Sequence, residues 1–449
     1  MSFSVAQLQQ QLTRLPDSDR YWIAFSGGCD SHVLLHAMAR LRDQEQANPF
    51  SHKEIHALHI NHGLNRQADK WSQHCEQICQ QLDIAYLSVS VEALAADGES
   101  PEAAARHARY QAFAQTIKQG DVLLLAQHQD DQAETLLLQL FRGSGPKGLA
   151  AMPISREFAS GWLCRPLLEF SRAQLYQYAK DNQLHWIDDP SNFETEYDRN
   201  FLRHEIMPTL KKRWPAIDIT LSRAARHQAD VMQLTQQLAE RDWQRCKVDD
   251  PAQLSIAALQ SLNLVEQTNL LRYWIKDINQ LQVPDQQRLL RILNELINAA
   301  DDAQPLVEWD KTQLRRFQGQ LYLTTEQQLM LNIQPGFKWD LNSPVQLNGN
   351  THIFTEVAQG TGLKRSLSNE DVRIRFREGG ESCRPIGRGH QMSLKNLMQE
   401  WSIPPWRRAL IPLIYVNNEI AAVGNYCVCE TYEAEKNQDG LKIMIKTIT

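Results

Sequence analysis

No stretch of this 449-residue sequence is apolar for long enough to span a bilayer. Its longer apolar runs are pieces such as Val122–Ala126 and Ile411–Val416, far short of the roughly 20 residues a crossing helix needs. The first residues, Met1-Ser2-Phe3-Ser4-Val5-Ala6-Gln7, lack the basic start and apolar core of a secretory leader. A cytoplasmic protein without membrane contact is therefore the expectation. Cysteine is sparse, with eight in all, and the close pairs Cys75/Cys79 and Cys427/Cys429 do not have CxxC spacing. That argues against a disulfide framework and against a zinc or iron–sulfur set, and leaves small buried apolar side chains. GxxxxGK[ST] is absent, which excludes a Walker nucleotide site. There is no internal repeat and no low-complexity tail. A net charge of −6 excludes a protein that coats nucleic acid indiscriminately, but not one with a local basic face.

What is present is a globular composition, 42% hydrophobic and 22% charged, in a chain long enough for two or three domains. Strand-like and helix-like runs alternate in the first part. Tyr21–Phe25, Ile55–Ile60, Ile84–Val89 and Val122–Ala126 read as strands. Ser31–Leu41, Gln67–Leu82, Pro101–Lys118 and Asp131–Phe141 read as helices, with Pro101 suited to a first turn. Such alternation predicts a parallel sheet with helices on both sides, whose ligands sit at the strand carboxyl ends. The unusual segments Ser26–Ser31, Asn61–Leu64 and Gln127–Glu134 all follow predicted strands. After Trp214-Pro215 the chain turns helical to about Asn298. Strand-like alternation follows from Leu306 to Gly360, and short strands around a helix at Leu394–Trp401 complete the chain.

The sharpest signal is Ser26-Gly27-Gly28-Cys29-Asp30-Ser31. Glycines after a strand let the backbone turn tightly and present N–H groups to an anion. The following helix aims its positive end at the same place, and hydroxyls of Ser26 and Ser31 add donors. An ordinary tight turn capping a helix is the competing reading. It accounts for Gly-Gly but not for two serines and an aspartate clustered around it.

Ser-Gly-Gly-x-Asp-Ser resembles the PP-loop of the N-type ATP pyrophosphatases, which cleave ATP between its α and β phosphates and adenylate a carbonyl oxygen. The segments that follow are similar to those of the tRNA(Ile)-lysidine synthase family over essentially the whole chain. They include His59-Ile60-Asn61-His62-Gly63-Leu64, Glu102–Tyr110 with Arg106 and Arg109, and Gln127–Thr135 with His128, Asp131 and Glu134. Arg142–Gly145, Arg165-Pro166-Leu167-Leu168, Asp189-Pro190-Ser191-Asn192 and Arg199-Asn200-Phe201-Leu202-Arg203 continue the match. Asn61 and Asn65 depart from it, standing where many relatives carry Asp and Arg.

The resemblance implies an α/β fold in which a Rossmann-like parallel-sheet PP-loop domain (1–215) precedes a mainly helical middle domain (216–340) and a small α+β C-terminal domain (341–449). It implies a ligase that uses ATP and Mg²⁺ to join L-lysine to C2 of the wobble cytidine of a CAU-anticodon tRNA(Ile). Dimerisation and the metal ligands are left open. Ser26, Gly27, Gly28, Cys29, Asp30 and Ser31 would hold the nucleotide. Asp30, Arg106, Arg109, His128, Asp131, Arg199 and Arg203 would serve the chemistry, since Arg pairs three or four apart share a helix face. Lysine's amine, with a pKa of about 10.4, is less than about one part in a thousand neutral at pH 7. The site must therefore bind an ammonium and take its proton, with Asp30 and Asp131 the candidates. The segment His128-x-x-Asp131 also reads as a plain helix N-cap region, since Asp130 and Asp131 suit a first turn.

For tRNA, Arg373–Pro412 holds eight basic residues against three acidic ones, interleaved with Trp401 and Trp406, and Lys211-Lys212-Arg213 forms a second cluster. A solvated basic face with core tryptophans is the plainer alternative. A cytidine thiolase would need the missing CxxC, an amidotransferase a glutaminase module, and an RNA-binding scaffold would not need a complete loop.

Overall fold

Val122–Leu124 is apolar at every position and buried throughout, a pattern that suits a strand covered on both faces. It is the fourth strand of a six-stranded sheet in a computed structural model that describes residues 3–44, 48–61, 68–92, 101–188, 194–300, 303, 305–330, 334, 336–348 and 351–447. The strands are β1 (Arg20–Ala24), β2 (Glu54–Asn61), β3 (Ala85–Ser90), β4 (Val122–Leu124), β5 (Ser155–Phe158) and β6 (Gly161–Cys164). They lie in the order β3-β2-β1-β4-β6-β5, parallel except for β5 against β6.

Helices of this region are α1 (Val5–Leu12), α2 (Cys29–Arg42), α3 (Ala68–Gln81), α4 (Pro101–Thr116), α5 (Gln129–Phe141), α6 (Pro146–Leu149) and α7 (Arg172–Asp181). Then come α8 (Asp198–Phe201), a π-helical turn at Leu202–Ile206, α9 (Met207–Arg213) and α10 (Ile217–Cys246). Strand periodicity sorts the cores. Tyr21, Ile23 and Phe25 pack with α1, α2, α3 and α7, while Trp22 and Ala24 turn to the other face with Phe113 of α4. The chain works outward from β1 to β3, then returns to β4 on the other side of β1. That reversal opens a crevice at the carboxyl ends of β1 and β4, where the segments following those strands meet.

The expected strands and helices of this region are present, with two differences. Helices α2 and α5 begin two residues earlier than the apolar spacing indicates, because their first turns are built from the polar motif residues themselves. The β5–β6 hairpin went unread: Ser155–Phe158 is an edge strand without apolar alternation, turning through Ala159 at φ 52°. His62-Gly63-Leu64, Asn65 and Asp189-Pro190-Ser191-Asn192 lie outside the described residues.

Contacts divide the chain into Met1–Leu234 and Thr235–Thr449, the break falling within α10. In the second unit, helices at Ile256–Gln260, Leu264–Tyr273 and Gln286–Arg291 share a core around Trp274 with a four-stranded antiparallel sheet, Gln253–Ser255, Gln320–Thr325, Thr312–Phe317 and Leu306–Trp309. Three further antiparallel sheets follow, of five, four and two strands, and Thr351–Gln359 pairs along its full length with Asp439–Thr447. Among the described residues no helix is long and apolar enough to cross a membrane.

Candidate active site

Between β1 and α2 the chain must reverse direction within four residues, and Gly27 makes this turn at φ +81°. A Cβ there would stand 2.9 Å from Cys75 Sγ. The Gly27 carbonyl accepts a 3.0 Å bond from the Ile187 amide. Gly28, at φ −76°, caps α2 without a side-chain bond, so no side chain satisfies the first-turn N–H groups of the helix. Ser31 Oγ donates to the Gly28 carbonyl at 2.9 Å and lies 3.1 Å from Ser26 Oγ, which holds both hydroxyls at the mouth of the turn. The half-buried Cys29 thiol is pushed up to about 12 by burial, with Asp30 adding to the effect, so it is no thiolate at neutral pH. Gly27→Ala is expected to destabilise the first unit by about 1–2 kcal/mol through its backbone angle alone. Gly28→Ala, whose Cβ would meet only Ser26 Oγ at 3.5 Å, should leave the melting temperature nearly unchanged. Equal melting of the two variants would contradict this account of the turn.

Opposite the loop, α5 begins at Gln129 with His128 as its cap. Asp131 Oδ2 accepts the His128 amide at 3.0 Å, and the Asp131 amide lies 3.4 Å from His128 Nδ1. The bond from the His128 amide to Asp131 caps the helix, and the residues form more than that. His128 Nε2 is 3.5 Å from Asp30 Oδ2 and 3.4 Å from Asp131 Oδ2, and Nδ1 is 3.8 Å from Asp130 Oδ2. Burial works against a charge on His128, but Asp131, Asp30 and Asp130 outweigh it and raise its pKa to about 9. The imidazolium thus forgoes the 3.4 Å contact from the Asp131 amide, which is at the long limit of a hydrogen bond.

Two arginines close the other side. Arg199 on α8 and Arg203 in the π-helical turn both reach Glu134, which is 2% exposed. Arg203 Nε and Nη2 donate to Glu134 at 2.7 and 2.8 Å, and Nη2 also donates to Asp131 Oδ1 at 2.9 Å. Arg199 donates to Glu134 at 3.2 Å and to Thr135 Oγ1 at 3.0 Å. Burial pushes Asp131 up, but His128, Arg199 and Arg203 overcome this and hold its carboxyl below the usual range. Both Asp131 oxygens are engaged. Asp30 differs: its Oδ1 is buried with no hydrogen-bond partner among the described residues.

The structure thus brings together Asp30, His128, Asp131, Arg199 and Arg203. It does not bring Arg106 to them, because that guanidinium is exposed and lies 5.1 Å from the Tyr110 ring centre. Arg109 is half-buried on the same helix. His59 is a buried strand residue whose Nδ1 is 2.9 Å from the Phe25 carbonyl. Sequence reasoning assigned no place to Glu134 as the anchor of the arginine pair, although its spacing from Asp131 on α5 signalled one shared face. Nor did it pair Lys211, read as part of a basic cluster, with Asp130 at 3.0 Å and Asp218 at 2.7 Å.

In the second unit the tryptophans have protein partners. Trp401 stacks on Tyr426 at 5.3 Å, and Trp406 packs edge-on to Phe317 and Tyr322 beneath Arg315. Arg373, Arg377, Arg384 and Arg388 face Asp371, Glu381, Glu430 and Glu400. The pairs of Arg373, Arg384 and Arg388 are exposed and worth only about 0–1 kcal/mol each, whereas Arg377 and Glu381 are largely buried.

Known proteins carry the same arrangement of segments. Residues 2–210 match a model described as a PP-loop domain, 254–322 a TilS substrate binding domain and 372–445 a TilS substrate C-terminal domain. A tRNA(Ile)-lysidine synthase of Coxiella burnetii is 41% identical over 99% of this chain and 97% of its own length. Those of Legionella pneumophila (strain Lens) and Pectobacterium atrosepticum are 38% and 39% identical, each over 94% of both chains. With identity at that level running from the nucleotide loop to the last strands, the chain belongs to the tRNA(Ile)-lysidine synthase family.

Proposed function

We propose that this protein, working in the cytoplasm, joins L-lysine to C2 of the wobble cytidine in a CAU-anticodon tRNA(Ile). ATP would be consumed and AMP and pyrophosphate released. The observation that carries the proposal is Asp30 in the first turn of α2: its Oδ2 faces the imidazolium of His128 while its Oδ1 is buried without a partner among the described residues. Cytidine C2 is a poor electrophile because the ring nitrogens donate into it. Attack of its O2 on the α-phosphorus forms a new O–P bond as the bond to the β-phosphate oxygen breaks. The uncapped N–H groups of α2 and the Ser26 and Ser31 hydroxyls offset the charge on the departing pyrophosphate. Asp30 Oδ1 is also the kind of oxygen a hard cation takes, and Mg²⁺ held there with the phosphates would add to that neutralisation.

In the second step Asp30 receives the lysine ammonium and takes its proton. The freed amine attacks C2, and AMP leaves with the original O2. Asp131, bound on both oxygens, positions His128 and Arg203 rather than titrating. The test is incorporation of labelled lysine into a tRNA(Ile) transcript with a CAU anticodon, alongside a methionine tRNA, in the presence of ATP and Mg²⁺. Labelling of the isoleucine tRNA alone, with stoichiometric AMP, is expected. ATP binding without labelling would reject the ligase assignment.

A further inference from the structure

Arg165, which follows β6 directly, is 3% exposed, yet its guanidinium meets only neutral acceptors in the described contacts. Nε donates to Gln127 Oε1 and Nη1 to the Pro153 carbonyl at 2.9 Å. Its nearest charged neighbours have the same sign. Burial lowers its pKa, the Tyr110 hydroxyl opposes this, and Arg156 and Arg106 add to the lowering. Those two exposed guanidiniums lie 5.8 and 5.1 Å from the Tyr110 ring centre. No described carboxylate forms an ion pair with any of the three. A buried charge without a counter-ion is costly to keep, so among the described residues the cluster is electrostatically incomplete.

Its location narrows the missing anion. Gln127 precedes His128 at the end of β4, and Arg165 stands at the end of β6, on the same rim as the Ser26–Ser31 turn. Two strand spacings, about 10 Å, separate β1 from β6. The end of β4, with the carboxylates, lies between them. That distance is within the span of an extended nucleotide, so a receptor for RNA phosphate is told from one for nucleotide phosphate by which affinity the cluster controls. A strand of RNA with one base drawn out of its stack into the crevice has its flanking phosphates within reach of that rim. We propose that Arg156 and Arg106, backed by buried Arg165 and gathered on Tyr110, form a receptor for an RNA backbone phosphate beside the catalytic carboxylates. This rests on the tRNA reading above.

The test is the affinity of the full-length protein for a CAU-anticodon stem-loop RNA, measured by fluorescence anisotropy over a NaCl series. Arg156→Ala should weaken binding roughly five- to tenfold at low salt and reduce the slope of log K against log salt by about 0.7–0.9. Arg156→Lys should restore the slope, and ATP affinity should stay constant in both variants. Arg165→Gln should show the same reduced slope without a fall in melting temperature, because it removes an uncompensated buried charge. A lower melting temperature with an unchanged slope would make Arg165 a packing residue and overturn the proposal. Weakened ATP binding in Arg156→Ala would do the same by assigning the cluster to nucleotide phosphates. Failure of the ligase reading appears separately, as a stem-loop that binds with the expected slope change while the unmutated protein incorporates no lysine.

Discussion

Glu134→Ala is expected to lower the melting temperature of the first unit by roughly 6–12 °C and to abolish lysine incorporation. Glu134 accepts three bonds from Arg199 and Arg203, two of them under 2.9 Å. Breaking a buried pair by removing one partner costs about 3–5 kcal/mol, because the remaining charge loses its compensation. Both arginines keep about a quarter of their side-chain surface exposed, so the lower end applies here. At about 2–4 °C per kcal/mol for a unit of this size, that gives the stated range. The catalytic loss follows from the same bonds. Arg203 holds Asp131 Oδ1 only while Glu134 fixes its orientation. Glu134→Gln, which keeps the shape and one acceptor, should lose less stability but still lose most activity. Calorimetry decides the matter: a melting temperature within 2 °C of the parent for Glu134→Ala would mean these ion pairs do not hold α5 to α8.

Asp30→Asn should reduce lysidine formation about 10²–10⁴-fold, the usual loss when a positioned acid–base group is removed. The same substitution should reshape the alkaline limit of stability. The His128 pKa is raised to about 9 in the folded protein against about 6.5 unfolded. Its contribution is therefore fully present below pH 6.5 and is lost as pH rises through 9. Asp30 is one of three carboxylates that hold this charge, so Asp30→Asn should move the alkaline decline to lower pH. Buried His32 works in the opposite direction. Its pKa is lowered to about 4 by burial, and its contribution is lost as pH falls from 6.5 toward 4. Melting curves of parent and Asp30→Asn between pH 6 and 10 test the assignment. Superimposable alkaline limbs would show that His128 does not carry its charge there.

Much of the first unit was legible before any coordinates because its signals are local. A strand buried on both faces must be apolar throughout, as Val122–Leu124 is. A turn that needs positive φ takes glycine, as at Gly27. Two serines and an aspartate clustered around paired glycines after a strand announce an anion site. Even so, α5 and α2 began earlier than apolar spacing indicated, because their first turns are made of polar motif residues that carry no apolar period. The C-terminal pairing of Thr351–Gln359 with Asp439–Thr447 could not be read locally, since the pairing joins residues far apart in the chain and alternation does not name a partner.

By its sequence alone this protein was committed to a parallel sheet, a phosphate-binding turn after the first strand and a family of tRNA-modifying ligases. Each of these rests on residues adjacent in the chain. Tertiary structure decided which charges face which. It set Lys211 between Asp130 and Asp218 rather than on a free basic face, gave Glu134 both arginines, engaged both oxygens of Asp131 and left one of Asp30 open. The physical reason is that an ionised group is defined by its neighbours within a few ångströms, and here those neighbours come from segments tens of residues apart. Only the reversal of strand order between β1 and β4 brings those segments into one crevice.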